Sequence, residues 1–383
     1  MHRFAAICLI LFAASPAHSQ QAFLMTYGTA ERVEEQFGHN AIWIRDPERG
    51  VDSIYNFGFF DFDKPGFYRE FLFGEMIYFA LARDPEDELS YYRRRDRTIR
   101  AQLLNLSPEA VRRLTGWLET RVAPANRDFA YDYFLYNCST RIRDALDFAL
   151  DGALREATVD EPARLDYRAH TRRMVQDDPL LYVGIEAGLG RPADRPRSRW
   201  EEMFLPEVVA ETVGDMTVAA SAGGREPLVL ADRVLYQSTR PPDPERPEFP
   251  WMLFGGLAAL SAALSAAPSA LFRRRALALA GARLWLVFVT AGGLLLAFLW
   301  LATDHQAACS NENLLLFNPL AALLWRFRGG RLERIAAAMI GTGLMASVLL
   351  KFLPGAQWNH DLLLWLLPAQ AALLAVWKSK AVN

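Results

Sequence analysis

Hydrophobic and polar positions follow two different rules along these 383 residues. From 251 to 377 apolar residues run on almost without charge, whereas from 21 to 250 short apolar runs alternate with charged and turn-forming residues. The later region contains apolar segments at 251–271, 284–302, 314–325, 335–350 and 362–377. The first two carry no charge and reach the roughly 20 residues that cross about 30 Å of hydrocarbon. The third contains Asn318-Pro319 and the last Pro368 and Gln370, and all together predict five spans. In the earlier region, residues 22–26, 41–45 and 51–57 read as strands on their β-branched and aromatic content, separated by Gly and Asp-Pro turn signals. Ser107-Pro108-Glu109 sets an N-cap residue before a proline at the first helical position, so a helix is predicted from there to Val122. A second begins at Asn137 and runs to Leu150, with Ile142, Ala145, Leu146 and Ala149 on one face. Pro/Arg-rich linkers are expected at 190–200 and 240–250.

The N-terminus adds export to this picture. His2 and Arg3 precede an apolar run over 4–14 and then Ala17-His18-Ser19, the pattern of a secretory signal. The expected divisions are a signal peptide at 1–20, an exported domain at 21–245 and a transmembrane helical domain at 246–383. A net charge of −2 gives no reason to expect a nucleic-acid partner. With Cys8 inside the signal, Cys138 and Cys309 remain in a compartment where two thiols within reach tend to pair.

Loop charge sets an expected topology. With the exported domain outside, Arg273, Arg274, Arg275 and Arg283 after span one, Arg326, Arg328, Arg331 and Arg334 after span three, and Lys378 and Lys380 all fall in the cytoplasm. Two polar loops stay outside. One holds Asp304-His305-Gln306 and Ser310-Asn311-Glu312-Asn313, the other Gln357-Trp358-Asn359-His360-Asp361. They are either ordinary solvated turns or a head-group and substrate site using His305, Asn311, Asn313, Asn359 and His360. Tyr91-Tyr92-Arg93-Arg94-Arg95-Asp96-Arg97 is either a patch for lipid phosphates or a charged edge strand. Trp43, Phe59, Phe60, Phe62, Phe67, Phe71 and Phe73 are either core or the lining of an acyl tunnel.

Candidate chemistry centres on Cys138. Asn137 as N-cap puts the thiol in the first turn of an amphipathic helix, where unsatisfied backbone N–H groups and the helix dipole favour the thiolate. His39, in Phe37-Gly38-His39-Asn40, begins a predicted strand and can serve as base and then acid. Asn56 is the choice for the group that fixes its tautomer, with Glu75 or Asp61 as substitutes. The histidines show no metal-ligand spacing, and neither metal nor cofactor is expected.

A strand histidine followed in sequence by Asn-Cys at a helix start resembles the circularly permuted papain-like group that includes lecithin:retinol acyltransferase and NlpC-like hydrolases. Phe37-Gly38-His39, Tyr55-Asn56-Phe57-Gly58, Phe73-Gly74-Glu75 and Tyr136-Asn137-Cys138, followed by a multi-span tail with Asp304-His305 and an Asn-Pro, are similar to bacterial Lnb-type lipoprotein N-acyltransferases. The resemblance implies an α+β, permuted papain/NlpC-like periplasmic domain followed by an all-α transmembrane bundle of about five helices. It further implies an acyltransferase of the cytoplasmic membrane that forms a thioester on Cys138. The acyl donor would be a membrane phospholipid or the lipoprotein's own glyceride, and the acceptor the N-terminal cysteine α-amine of a diacylglyceryl lipoprotein. Cys138 and His39 would be catalytic, and Asn56 joins them as the third member on its place in the sequence and not on the resemblance. Tyr136, Asn137, Glu75, His305, Asn311, Asn313, Asn359 and His360 would meet substrate. The rivals are an NlpC-like cysteine peptidase acting on cell-wall peptides and a non-enzymatic membrane scaffold with Cys138 paired to Cys309.

Overall fold

The computed structural model describes residues 20–219, 223–270, 275–326 and 329–381. All but the last residue of the expected signal peptide, and Arg273, Arg274 and Arg328, lie outside the described residues. The chain forms two compact units. The first comprises the described residues of Met1–Phe67, Met76–Arg164 and Ser198–Pro242, and the second those of Tyr68–Glu75, Leu165–Arg197 and Asp243–Asn383.

An antiparallel sheet organises the first unit. Its strands are β1 (Gln21–Tyr27), β2 (His39–Asp46), β3 (Val51–Phe59), β4 (Ile77–Arg83), β5 (Ile99–Leu104), β6 (Asp128–Ala130) and β7 (Val229–Tyr236), in the spatial order β6-β4-β3-β2-β1-β5-β7. β1 is an interior strand and its residues Ala22 to Met25 are all buried, as befits a strand covered on both faces. Phe23, Met25 and Tyr27 share one core cluster with Ala41, Trp43 and Ile54 and with Leu89 and Tyr92 of helix α1 (Pro85–Arg94). Helix α2 (Pro108–Val122) starts as its sequence predicts, with Ser107 Oγ accepting from Ala110 N, and packs on α3 (Cys138–Ala149). The apolar stripe of α3, Ile142, Ala145, Leu146 and Ala149, is buried, and the helix lies against β2 and β3. Helix α4 (Pro206–Asp215) packs against β1 and α3.

The sequence reading misses β4, β5, β6 and β7 and the nature of three segments. The aromatic stretch over 57–79 contains a short helix, Phe67–Phe73, and the start of β4. Residues 91–97 are not an edge strand. Asp84 caps α1 by accepting from Glu86 N and Asp87 N, Pro85 opens it, and the helix runs through Arg94. Tyr92 stacks on Tyr27 with ring centroids 3.6 Å apart. Arg95 and Arg97 approach Glu35 at 2.7 and 3.7 Å, and Arg97 Nε donates to Gly28 O. The stretch at 190–200 is ordered too, with a three-ten turn at Arg191–Asp194 and a helical turn at Arg199–Glu202.

Among the described residues of the second unit three helices are long and apolar enough to cross a membrane: Ala280–Leu301, Arg331–Phe352 and His360–Lys378. Two shorter apolar stretches, Trp251–Ala263 and Glu312–Leu324, accompany them. The latter is not α-helical; it is two three-ten turns, Glu312–Leu315 and Pro319–Leu324, because Pro319 lacks the N–H that would carry a helix through. Phe254, Trp285, Phe288, Phe317 and Trp365 form an aromatic cluster among these segments.

Residues 165–197 bring a charged core to the same unit. Arg168, 1 % exposed, meets Glu186 at 2.6 Å and Asp194 at 2.7 Å and donates to the carbonyls of Leu189 and Gly190. Arg172 bonds Glu186 through two nitrogens and reaches Asp361, which also accepts from Tyr182 OH. Burial opposes the charge of both arginines, but the facing carboxylates outweigh it and raise their pKa values.

Candidate active site

Cys138 owes its position to a capping box. Asn137 is extended, its Oδ1 accepts from Thr140 N at 2.9 Å, and Thr140 Oγ1 accepts from Asn137 N at 2.8 Å. The Asn137 Nδ2 donates to Tyr133 O and Phe204 O, which ties the helix start to the loops around it. This cap engages Asn137 and Thr140 and leaves Cys138 and Ser139 with backbone N–H groups that have no intrahelical partner.

A bulge opens space beside the thiol. The β3–β4 register shifts between Phe57 and Phe59, and Gly58 takes a φ of +99°. A Cβ there would stand 3.5 Å from the Tyr131 ring and 3.8 Å from the Cys138 Cβ. Glycine holds this conformation without the strain that a side chain would bring.

His39 is the first residue of β2, paired with Tyr27 of β1, and its ring is near enough to Cys138 for each to shift the other's pKa. Ser139 Oγ lies 3.7 Å from the sulfur. On the far side of the imidazole, Nε2 sits 2.9 Å from Asn56 Oδ1. The orientation of this amide follows from its other end. Asn56 Nδ2 donates to Ile54 O at 3.1 Å and to Glu88 Oε2 at 2.8 Å, so the oxygen must face the histidine. An amide oxygen accepts, hence Nε2 carries the proton, and Nδ1 is left for the sulfur.

Glu88 anchors this relay from α1. Its carboxylate is fully buried and accepts from Tyr27 OH at 2.7 Å as well as from Asn56. Burial raises its pKa against the lowering pull of Tyr27, His39, Arg83 and Asn56. Sequence reasoning misses both Glu88 and Tyr27. Glu88 sits in the run Glu86-Asp87-Glu88 that otherwise reads as the solvated first turn of a helix. The one available signal is its spacing: Glu88 precedes Leu89 and lies four residues before Tyr92, both inward-facing.

Electrostatics bind cysteine and histidine into a pair. Burial alone would raise the Cys138 pKa, but the charge and hydrogen bond of His39, the Asn40 N–H and Ser139 bring it down to about 7. Burial alone would lower His39, yet the Cys138 thiolate, Asn56 and Glu88 raise it. Each group thus holds the other in its charged form, and the arrangement can present a nucleophilic sulfur beside an acid at neutral pH.

Of the residues singled out in the sequence, the structure gathers Cys138, His39, Asn56, Asn137 and Tyr136, with Tyr136 half exposed beside Arg141. Glu75 and Asp61, the substitutes for Asn56, are elsewhere. Glu75 pairs with Arg69 at 3.0 Å, and Asp61 Oδ1 accepts from Asp63 N in a turn. The outer-loop amides are occupied by protein in the second unit. Asn311 donates to Ala187 O and Gly188 O, Asn313 to Glu186 O and Ala187 O, and Asn359 to Asn313 Oδ1. These bonds satisfy the carbonyls that the helix Pro179–Gly188 leaves open at its C-terminal end. His305 Nε2 lies 3.1 Å from Phe71 O, and the exposed His360 packs edge-on to Trp358. The aromatics divide: Trp43 belongs to one core cluster, Phe60, Phe62 and Phe67 are in mutual ring contact in and around a second, Phe59 stacks on Phe79, and Phe73 meets Phe298. Cys138 and Cys309 are both free thiols, so the disulfide alternative is not formed.

Two comparisons with protein families find matches: the Lnb N-terminal periplasmic domain over residues 12–175 and the Lnb transmembrane domain over residues 249–353. No curated protein and no solved structure matches the chain.

Proposed function

We propose that this Lnb-type protein, a membrane protein carrying the periplasmic and transmembrane domains of that family in order, moves a fatty acyl chain from a glycerolipid ester to the α-amine of a lipoprotein's N-terminal cysteine. The observation that carries the reading is the Cys138–His39–Asn56 constellation, with its depressed thiol pKa, inside the matched periplasmic domain. The permuted papain-like arrangement and a five-span passage through the cytoplasmic membrane, with the sheet unit outside, belong to the same proposal.

In the first half-reaction the Cys138 thiolate attacks the ester carbonyl, and the oxyanion is met by the backbone N–H groups of Cys138 and Ser139. The carbon–oxygen bond breaks, the departing alkoxide takes the proton from His39, and a thioester remains. In the second, the α-amine attacks the thioester carbonyl while neutral His39 accepts its proton. The carbon–sulfur bond breaks and returns the thiolate–imidazolium pair. Asn56, held by Glu88, keeps His39 in the tautomer that both proton transfers need. Donor esters of a phospholipid and of the lipoprotein's own glyceride are chemically equivalent at this centre.

The test is mass spectrometry of lipoprotein N-termini from cells with and without the protein. N-acylated termini should appear with it and be absent without it or with Cys138→Ala. Unchanged termini alongside altered cell-wall peptides would replace this reading with the peptidase.

A further inference from the structure

One turn past Cys138 on α3, Arg141 carries its charge in a setting that does not satisfy it. Its side chain is 16 % exposed, and its Nε is buried with no hydrogen-bond partner among the described residues. The carboxylate facing it, Asp144, stands off at 3.7 Å and already accepts from Arg143 through two nitrogens. What the guanidinium meets is aromatic: it lies 5.6 Å from the centre of the Phe129 ring and 5.9 Å from that of Tyr136. A buried donor without an acceptor is costly, and the cost is removed when an acceptor binds.

A second cation stands at the other end of the same aromatic row. Arg121, in the last turn of α2, covers the Trp117 ring at 4.7 Å. Trp117 meets Phe57, and Phe57 meets Phe129, with centroids 5.8 and 6.2 Å apart. Burial is the main cause that lowers the Arg141 pKa, and the charges of Arg121 and Arg143 add to it against the pull of Asp144 and Tyr136. Glu119, on the helix of Arg121, is turned to Arg49 at 2.9 Å. An anion beside Arg141 would offset both the repulsion and the missing hydrogen bond.

Position says which anion. Helical side chains point back toward the N-terminus, so Arg141 covers the turn that carries Cys138, in keeping with its contact with Tyr136. Cβ atoms at this spacing are about 5–6 Å apart. In a glycerophospholipid only the short glycerol backbone separates an ester carbonyl from the phosphate, so an ester seated at Sγ brings its phosphate within reach of this guanidinium. A lipoprotein's own glyceride has no phosphate to offer. We propose that Arg141, with Arg121 beside it, binds the phosphodiester of a glycerophospholipid whose ester is presented to Cys138, and so selects a phospholipid as acyl donor over an uncharged glyceride. A guanidinium suits this task because its planar fork matches phosphate oxygens in pairs. The donor's role rests on the acyl-transfer reading, but occupancy of the site can be measured without catalysis.

The test uses the full chain in detergent and follows alkylation of Cys138 by iodoacetamide, read by peptide mass. A short-chain diether phosphatidylglycerol, whose ether links cannot be attacked, is compared with the matching dialkylglycerol, which lacks the phosphate. The phospholipid should slow alkylation at concentrations where the dialkylglycerol does not. Arg141→Gln should raise the half-protecting concentration about tenfold or more, the effect of losing a charge-assisted hydrogen bond, and Arg141→Lys should recover part of the loss. Arg121→Gln, outside the Cys138 helix, should raise it by a smaller factor, and Arg112→Gln, exposed on α2, should leave it unchanged. Equal protection by the two lipids, protection by neither, or protection that survives both Arg141→Gln and Arg121→Gln would overturn the proposal. Phosphate-dependent protection with no acyl adduct on Cys138 from an ester phospholipid would keep this site and remove the reaction, whereas an adduct formed equally from phospholipid and diacylglycerol would keep the reaction and remove the site.

Discussion

His39 and Cys138 each change the other's affinity for a proton, and that mutual effect is open to direct titration. The thiolate of Cys138, followed by ultraviolet absorbance or by its alkylation rate, should appear with a midpoint of about 7. In His39→Ala the burial remains while the compensating charge is gone, so the midpoint should rise above the ordinary thiol value of about 8.5. The signs of the linked stability terms differ. The Cys138 contribution, from a depressed pKa, is present above its unfolded value and is lost as pH falls through about 7. The His39 contribution, from a raised pKa, is complete below the ordinary value of about 6.5 and is lost as pH rises through its raised value. For acyl transfer, His39→Ala should cost roughly 10²–10⁴-fold, and the Cys138→Ala/His39→Ala double variant should be no worse than the Cys138 single change, because the two act as one unit. Asn56→Ala should lower turnover about tenfold, the effect of losing roughly 1.5 kcal/mol of a charge-assisted hydrogen bond. Glu88→Gln should do likewise, since a glutamine NH₂ turned toward Asn56 would face the wrong end of that amide; an alkylation rate unchanged in this variant would remove Glu88 from the relay. That Cys138, His39 and Asn56 would stand together was legible because small polar residues at a helix start and beside a strand glycine carry local signals. Glu88 and Tyr27 were not, because their meaning lies in a contact across 61 residues of chain.

At the scale of elements, the start of α3 and the bulge in β3 decide whether the thiol is held and reachable. Asn137→Ala removes the cap and the bonds to Tyr133 and Phe204. It should cost about 0.5–2 kcal/mol for the cap alone, read as a lower Tm together with a slower alkylation of Cys138. Gly58→Ala should cost about 1 kcal/mol or more for its left-handed backbone. Its methyl group should also obstruct the sulfur, so acyl transfer should fall by more than stability does. The helices Pro108–Val122 and Cys138–Ala149 were readable at both ends, whereas Pro85–Arg94 was missed despite its Asp84 cap. Strands β4 to β7 were not readable either: β4 hides in an aromatic run with no alternation, and β5 and β7 are defined mainly by pairing with each other and with β1. The 91–97 stretch misleads as an edge strand because Arg95 and Arg97 are engaged by Glu35 and Gly28, partners distant in sequence.

For the whole molecule, the sequence boundary at 245 and the packing of the chain disagree in a testable way. Residues 165–197 belong to the unit that holds the apolar helices, where Asn311, Asn313, Gln357 and Asp361 bond to them. A fragment of residues 21–245 should keep the sheet yet lose order over 165–197, seen as rapid proteolysis or hydrogen exchange confined to that stretch. In the full chain Arg168→Ala should destabilise by about 3–5 kcal/mol, because Glu186 and Asp194 would be left buried with a missing partner. Hydropathy made the membrane region visible at once, and the charge lattice that joins its loops to 165–197 stayed hidden, since polar loop residues look solvated until their partners are known. The most direct measurement of the central claim is the mass of Cys138 in protein quenched during incubation with a diacylglycerolipid, with no amine acceptor present. A thioester mechanism predicts Cys138 heavier by one fatty acyl group, released by hydroxylamine and by added acceptor, and missing in Cys138→Ala; sustained acyl transfer with no adduct on Cys138, or with Cys138→Ala fully active, would contradict it.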